Sequence, residues 1–279
     1  MKGIISGIKR MEIHDGEGIR TTVFFKGCPL KCIWCHNPES LAFDKQIAYF
    51  EHKCVGCGAC SGKRNIDTAK LCPVGAIYEY GTEYEAIELA EMLSKDRPFF
   101  EMSGGGVTFS GGECLAQPDF AVELARMLHR DGISVYIDTS GYVKREVLEK
   151  IAPYTDKFLF DIKAVNNSLH KKLTGRDNGL ILDNLRFLVQ LGEAIEVRYP
   201  LVMGYNDCEC AEIGALLASL GGVSCVKVLK YHHFSRSRYT ALGLLDTMPH
   251  TETTPEDVDR AVAILKGFGL NAVSGADNG

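Results

Sequence analysis

Three cysteines near the start of the chain, Cys28-x3-Cys32-x2-Cys35, lie in the run Gly27-Cys28-Pro29-Leu30-Lys31-Cys32-Ile33-Trp34-Cys35-His36. Thiolates at this spacing can face one metal centre, yet they supply only three ligands. A structural zinc site or a ferredoxin-type cluster is closed by four. Three thiolates on a 4Fe–4S cluster leave one iron open, and an open iron is a site for chemistry. The bare spacing also fits a zinc knuckle or a chance cluster, so the context decides. Residues 21–26, Thr-Thr-Val-Phe-Phe-Lys, read as a β-strand rich in branched and aromatic side chains. The cysteines then occupy the loop after a first strand, where barrel enzymes keep their active sites.

A second group follows: Cys54-x2-Cys57-x2-Cys60 and, eleven residues later, Cys72-Pro73-Val74-Gly75-Ala76-Ile77. These four make a complete thiolate set and read as one auxiliary 4Fe–4S cluster, with zinc as the alternative. Further along, Ser110-Gly111-Gly112-Glu113 ends a strand. Its glycines let the backbone approach a ligand and its carboxylate is a charged acceptor, although a tight turn would use the same residues. Asp138-Thr139-Ser140-Gly141 and Asp161-Ile162-Lys163 end two later strands. Paired acids there can bind a cation or simply cap the next helices. Arg198, inside an apolar strand, is costly to bury without a partner, and a salt bridge is its plainest explanation.

The elements that must position these residues alternate. Helices over 86–95, 120–130, 144–151, 180–191, 211–220 and 255–268 intervene between strands over 107–110, 134–138, 158–162, 195–202 and 224–229. Alternation of this kind makes a parallel sheet with crossover helices. With residues 21–26 there are six core strands, short of the eight of a closed barrel. The fold class predicted is α/β: an open, partial (β/α)6 barrel with a small ferredoxin-like insert. Residues 1–45 start the barrel, 46–82 form the insert, and 83–279 complete the barrel.

Composition bounds the function. The chain has 279 residues, 46% hydrophobic and 24% charged, with a formal net charge of -5. No long basic run suggests nucleic acid, no 18-residue apolar stretch suggests a membrane, and no signal peptide is apparent. Eleven cysteines without a secretory signal point to a reducing cytoplasm. Seven of the eleven have metal-ligand spacing, while Cys114, Cys208, Cys210 and Cys225 have none.

The run His14-Asp15-Gly16-Glu17-Gly18-Ile19-Arg20, followed by Gly27-Cys28 through Cys35-His36-Asn37-Pro38, resembles the radical S-adenosylmethionine (SAM) enzymes. More narrowly, it resembles the glycyl radical enzyme activating enzymes, over the whole chain except the cysteine-rich insert. The resemblance implies that Cys28, Cys32 and Cys35 hold a 4Fe–4S cluster whose open iron is chelated by SAM. Reductive cleavage would give a 5′-deoxyadenosyl radical that takes hydrogen from a glycine of a partner glycyl radical enzyme. It further implies that Gly111, Gly112 and Glu113 hold the methionine amino group, with Lys163 on the carboxylate. Thr139 and Ser140 join the cofactor contacts, and Asp138 and Asp161 bind a monovalent cation, Na+ or K+. Trp34 and His36 flank the adenine, and His232 contacts the cofactor, with His233 its neighbouring rival. Asp15 and Arg198 approach the substrate glycine. Relatives with ferredoxin-like inserts commonly carry eight insert cysteines, twice the number here. The single auxiliary cluster favours an amino-acid (hydroxyproline) dehydratase as partner. A flavodoxin or ferredoxin is the expected electron donor, and the chain is expected to be a monomer. The rival readings are a radical SAM enzyme acting on another peptide or small molecule, a ferredoxin-like electron carrier, and a zinc-binding structural protein.

Overall fold

A computed structural model describes residues 1–275. Its main sheet has nine strands, in the spatial order β5 (Thr82–Glu85), β1 (Lys2–Glu12), β2 (Arg20–Phe25), β6 (Gly106–Gly111), β7 (Ser134–Thr139), β8 (Lys157–Asp161), β9 (Ile195–Leu201), β10 (Val223–Lys230) and β11 (Ala272–Ser274). From β2 to β11 every neighbouring pair is parallel. The six expected core strands stand side by side in chain order, and the sheet is open, with β5 and β11 at its edges.

The strands form where the sequence is continuously apolar. β6 and β9 have residues buried on both faces, as crossover helices on one side and a filled interior on the other require. Helix Pro118–Arg130 shows the covering layer. Proline opens it, and Phe120, Ala121, Leu124, Ala125 and Leu128 recur at helical spacing and are buried against the sheet.

Five strands lie outside the sequence expectation. β1 runs antiparallel to both β2 and β5, adding a flank to the first core strand. β11 is a three-residue seventh parallel strand, too short to show a period of its own. In the insert, β3 (Gln46–Tyr49) and β4 (Ile77–Tyr80) pair antiparallel as a separate two-stranded sheet, with Ala48 opposite Tyr78. The insert cysteines lie between these two strands, along with helix Ile66–Leu71 and its Asn65–Thr68 capping box. None of the described helices is long and apolar enough to cross a membrane.

Candidate active site

Gly27 opens the loop after β2 with a φ of 94°, in the left-handed region. The loop has little secondary structure of its own and is held from three sides. At its root, the Gly27 N–H donates to the Ser40 carbonyl at 2.8 Å. Lys26 is fully buried and its ammonium donates to the Glu39 carbonyl (2.7 Å), the Ala42 carbonyl (3.2 Å) and Gln46 Oε1 (2.9 Å). Burial pulls the Lys26 ammonium down to about 8. On the second side, Lys31 and Ile33 N–H groups donate to the carbonyls of Thr174 and Leu173, at the end of helix Asn167–Thr174. On the third, Ser235 Oγ donates to the His36 carbonyl (2.7 Å), Tyr239 OH to that of Cys35 (3.0 Å) and Thr247 Oγ1 to that of Ile33 (3.0 Å). The Arg238 guanidinium also pairs with Glu39 at 2.5 Å.

Cys28, Cys32 and Cys35 all line one cavity of about 730 Å³. Burial pushes all three thiols up, and Cys32 adds to the effect on Cys35, which reaches about 12. Such thiols ionise only against a compensating positive centre. Three soft donors around one cavity suit an iron–sulfur cluster, in which each thiolate takes its own iron. The residues fit a 4Fe–4S cluster, and no further cysteine among the described residues lines the cavity.

Because the core strands are parallel, their C-terminal ends open on the same side as this loop. Gly111, Gly112, Asp138, Thr139, Ser140, Asp161, Lys163, Arg198 and His232 all reach the cavity wall, as do Asp15, Trp34 and His36. Gly111 has a φ of 112°, and a Cβ there would sit 2.4 Å from the Phe25 nitrogen. At Gly112 a Cβ would sit 2.5 Å from the carbonyl oxygens of Gly27 and Ser40. Both glycines are therefore required where β6 passes the root of the cysteine loop.

Charge is concentrated at the strand ends. Lys163 Nζ donates to Asp161 Oδ2 at 2.6 Å, and Asp161 lies opposite Arg198 in the β8–β9 register. Attraction to Asp161 and to the neighbouring thiols outweighs burial and raises the Lys163 ammonium. Arg198, buried as its sequence position predicts, is 3.8 Å from Asp15, 3.7 Å from Asp138 and 3.4 Å from Glu196. Asp138 also accepts from Ser110 Oγ at 2.6 Å. Burial nevertheless pushes its carboxyl up to about 7, with Arg198 opposing and Asp161 adding to the rise.

Glu113 is not among the residues that line the cavity. It is wholly buried behind the wall and its carboxylate is occupied by Thr139 Oγ1 (2.7 Å), Ser140 Oγ (2.6 Å), Ser140 N–H (2.9 Å) and Leu115 N–H (3.2 Å). The Thr139 and Ser140 hydroxyls are correspondingly turned toward Glu113. Four donors from its own turn and the next strand end satisfy the carboxylate, and it braces the β6 and β7 loops together. Arg20 is likewise internal: it donates to Thr108 Oγ1 and to the carbonyls of Val107 and Ser134, with its guanidinium 3.6 Å over the Tyr136 ring.

The two histidines expected at the cofactor stack on each other, with ring centroids 4.1 Å apart, and His36 Nε2 donates to the His232 carbonyl at 2.8 Å. Burial, then His232, pulls His36 down to about 4. Trp34 is buried with Leu173, Val202, Tyr231, Tyr239 and Met248 behind the cysteines. Sequence reasoning gave no site role to Ser110, Tyr231 or four insert residues, Phe50, Lys53, Tyr78 and Tyr80, which also line the cavity. Ser110 and Tyr231 adjoin recognised motifs, but nothing local marks the insert residues.

The insert cysteines stand in a different setting. Cys54 and Cys57 are exposed, and Cys60 and Cys72 half-buried. The Gly56 N–H pulls the Cys54 thiol down, helped by the Tyr49 hydroxyl, and backbone N–H groups led by that of Ile77 do the same for Cys72.

Residues 22–217 match the Radical SAM superfamily. The trans-4-hydroxy-L-proline dehydratase activating enzyme of Clostridioides difficile is 39% identical, over 86% of this chain and 87% of that protein. The choline trimethylamine-lyase activating enzyme of Oleidesulfovibrio alaskensis is also 39% identical, over 87% of each. The pyruvate formate-lyase 2-activating enzyme of Escherichia coli K12 is 36% identical, over 86% of this chain and 80% of that one. Among solved structures, a domain of a pyruvate-formate lyase-activating enzyme from Bacteroides vulgatus superposes with a TM-score of 0.53 at 27% identity, over 62% of this chain and all of that one. Relatives of this length and identity agree with the geometry, and the chain belongs to the glycyl radical enzyme activating enzymes of the radical SAM superfamily, oxidoreductases that use a 4Fe–4S cluster and SAM.

Proposed function

We propose that this chain activates a partner glycyl radical enzyme at the cavity below the cysteine loop. The observation that carries the reading is that Cys28, Cys32 and Cys35 share one cavity with the ends of the parallel strands. A 4Fe–4S cluster held by Cys28, Cys32 and Cys35 would supply the one electron for reductive cleavage of SAM, whose 5′-deoxyadenosyl fragment would then take hydrogen from the partner's glycine Cα. The protein's part is to bind, orient and exclude water.

Lys163 offsets the methionine carboxylate, since a compact ammonium in a half-buried site suits a single carboxylate. Gly111 and Gly112 present close backbone, while Glu113 keeps Thr139 and Ser140 in place from behind. Trp34, His36 and His232 give the adenine a flat, largely neutral wall; His36 carries no charge at neutral pH. Asp138 and Asp161 bind a monovalent cation. In support, both side chains line the cavity at the ends of neighbouring strands. Asp15 and Arg198 meet the incoming glycine.

The insert carries one auxiliary 4Fe–4S cluster on Cys54, Cys57, Cys60 and Cys72, reduced by a flavodoxin or ferredoxin. Backbone N–H groups already favour thiolate at Cys54 and Cys72. The protein works as a monomer in a reducing cytoplasm. The partner proposed first is trans-4-hydroxy-L-proline dehydratase. Choline trimethylamine-lyase comes second, its activator being equally similar. Anaerobic incubation with each purified enzyme, SAM and a reductant decides between them: the true partner develops a glycyl EPR doublet. A panel with no doublet anywhere overturns the reading.

A further inference from the structure

The cavity is not made by the barrel alone. Phe50, Lys53, Tyr78 and Tyr80 belong to the insert, yet they line the same space as the three loop cysteines. Tyr78 is 46% exposed, whereas Arg198, which lines the same cavity, is 5% exposed. The four residues form one patch. The Tyr78 and Tyr80 rings meet edge to face with centroids 4.8 Å apart, and the Lys53 ammonium lies 4.6 Å over the Phe50 ring. β4 holds the tyrosines, and its pairing with β3 fixes their register. The patch is tied to the barrel, because Phe50 packs with Ala48, Ala241 and Tyr80.

We infer that Lys53, Tyr78 and Tyr80 are specificity-determining residues that grip the partner's glycine-bearing peptide segment as it passes from the surface to the centre. This rests on the activating function proposed above and assigns the insert a task separate from its cysteines. The chemistry suits an extended peptide. A glycine segment has little side chain to hold, so its backbone carbonyls must be recognised by donors, and Lys53 and the tyrosine hydroxyls supply them. Aromatic faces add contact area at low entropic cost. The position suits it too, because the patch leads directly into the space shared with Asp15 and Arg198.

The test compares wild type with Tyr78→Ala, Lys53→Ala and the double variant Lys53→Ala/Tyr78→Ala, both positions lying on the exposed side of the patch. Each is assayed for activation of whichever glycyl radical enzyme wild type activates, trans-4-hydroxy-L-proline dehydratase being tried first, and for SAM cleavage without a partner. The expected result is that KM for the partner protein rises about tenfold in the double variant, the effect of truncating interface anchors. Its kcat, its partner-free cleavage and its SAM affinity by equilibrium dialysis stay at wild-type values. An unchanged partner KM overturns the inference, and so does a fall in SAM affinity, which would make the patch a cofactor wall. If wild type itself gives no glycyl doublet with any partner, the activating function fails and takes this inference with it; a wild-type doublet with unchanged variants sinks the inference alone.

Discussion

The two cysteine groups of this protein are built in opposite ways. Cys28, Cys32 and Cys35 lie in a loop gripped by the root of β2, by helix Asn167–Thr174 and by Ser235, Tyr239 and Thr247. Their side chains are half-buried, in surroundings whose desolvation makes the thiols resist ionisation. Cys54, Cys57, Cys60 and Cys72 lie in a connection with one six-residue helix, and Cys54 and Cys57 are exposed. The first loop is thus held to the barrel by hydrogen bonds that do not involve its thiols. The backbone hydrogen bonds of residues 50–76 run within the insert, and a metal bound there, as proposed, would add rigidity.

The largest effect that can break this contrast comes from Cys32→Ala. It should abolish SAM cleavage, measured as 5′-deoxyadenosine, because two thiolates do not retain a placed cluster. Cys57→Ala should retain cleavage when a strong chemical reductant is supplied. Equal loss in both variants, with the first cluster still visible by EPR, would falsify the division of labour.

Removal of metal by a chelator sharpens it next. Hydrogen exchange should rise across residues 51–76, while the amides of Gly27, Lys31 and Ile33 keep much of their protection through their tertiary hydrogen bonds. Similar deprotection of both segments would show that the first loop also depends on its cluster.

Lys163→Ala should weaken SAM binding by roughly tenfold to a hundredfold, as a half-buried carboxylate loses a charged partner worth about 1.5–3 kcal/mol. Dialysis with labelled SAM measures it, and an affinity within twofold of wild type would remove Lys163 from the site.

The metal-free protein carries a smaller, pH-dependent signature. The Asp138 carboxyl sits at about 7 in the fold, against 3.8 for an ordinary aspartate. Between those values the folded state binds the extra proton, so this residue's contribution to stability is lost as pH rises from about 4 to about 7. Thermal melts should show a shallower decline over that window in Asp138→Asn than in wild type. The smallest effect is expected from Tyr239→Phe, which removes the bond to the Cys35 carbonyl at a cost of about 1 kcal/mol in denaturant unfolding.

Some of this was legible in the sequence and some was not. Cysteine spacing, the Asp15–Arg20 motif and the alternation of apolar strands with amphipathic helices are local patterns. Ligand sets at fixed intervals and periods of 2 and 3.6 are written along the chain, so the six core strands and the three-cysteine loop followed from residue order alone. β1 and β11 did not, since a flanking strand and a three-residue strand exist through their neighbours rather than through a period. Glu113 reads in sequence as a ligand group beside two glycines. Only the fold brings the Thr139 and Ser140 donors to its carboxylate and withdraws it from the cavity. The clasp of Ser235, Tyr239 and Thr247 on residues some two hundred positions earlier, and the insert wall of Lys53, Tyr78 and Tyr80, are contacts between distant segments. Sequence determined which chemistry this chain carries, because ligand identity and spacing are local. Tertiary structure decided which groups face the chemistry and which hold it in place, because burial and partnership depend on segments that meet only when the sheet has formed.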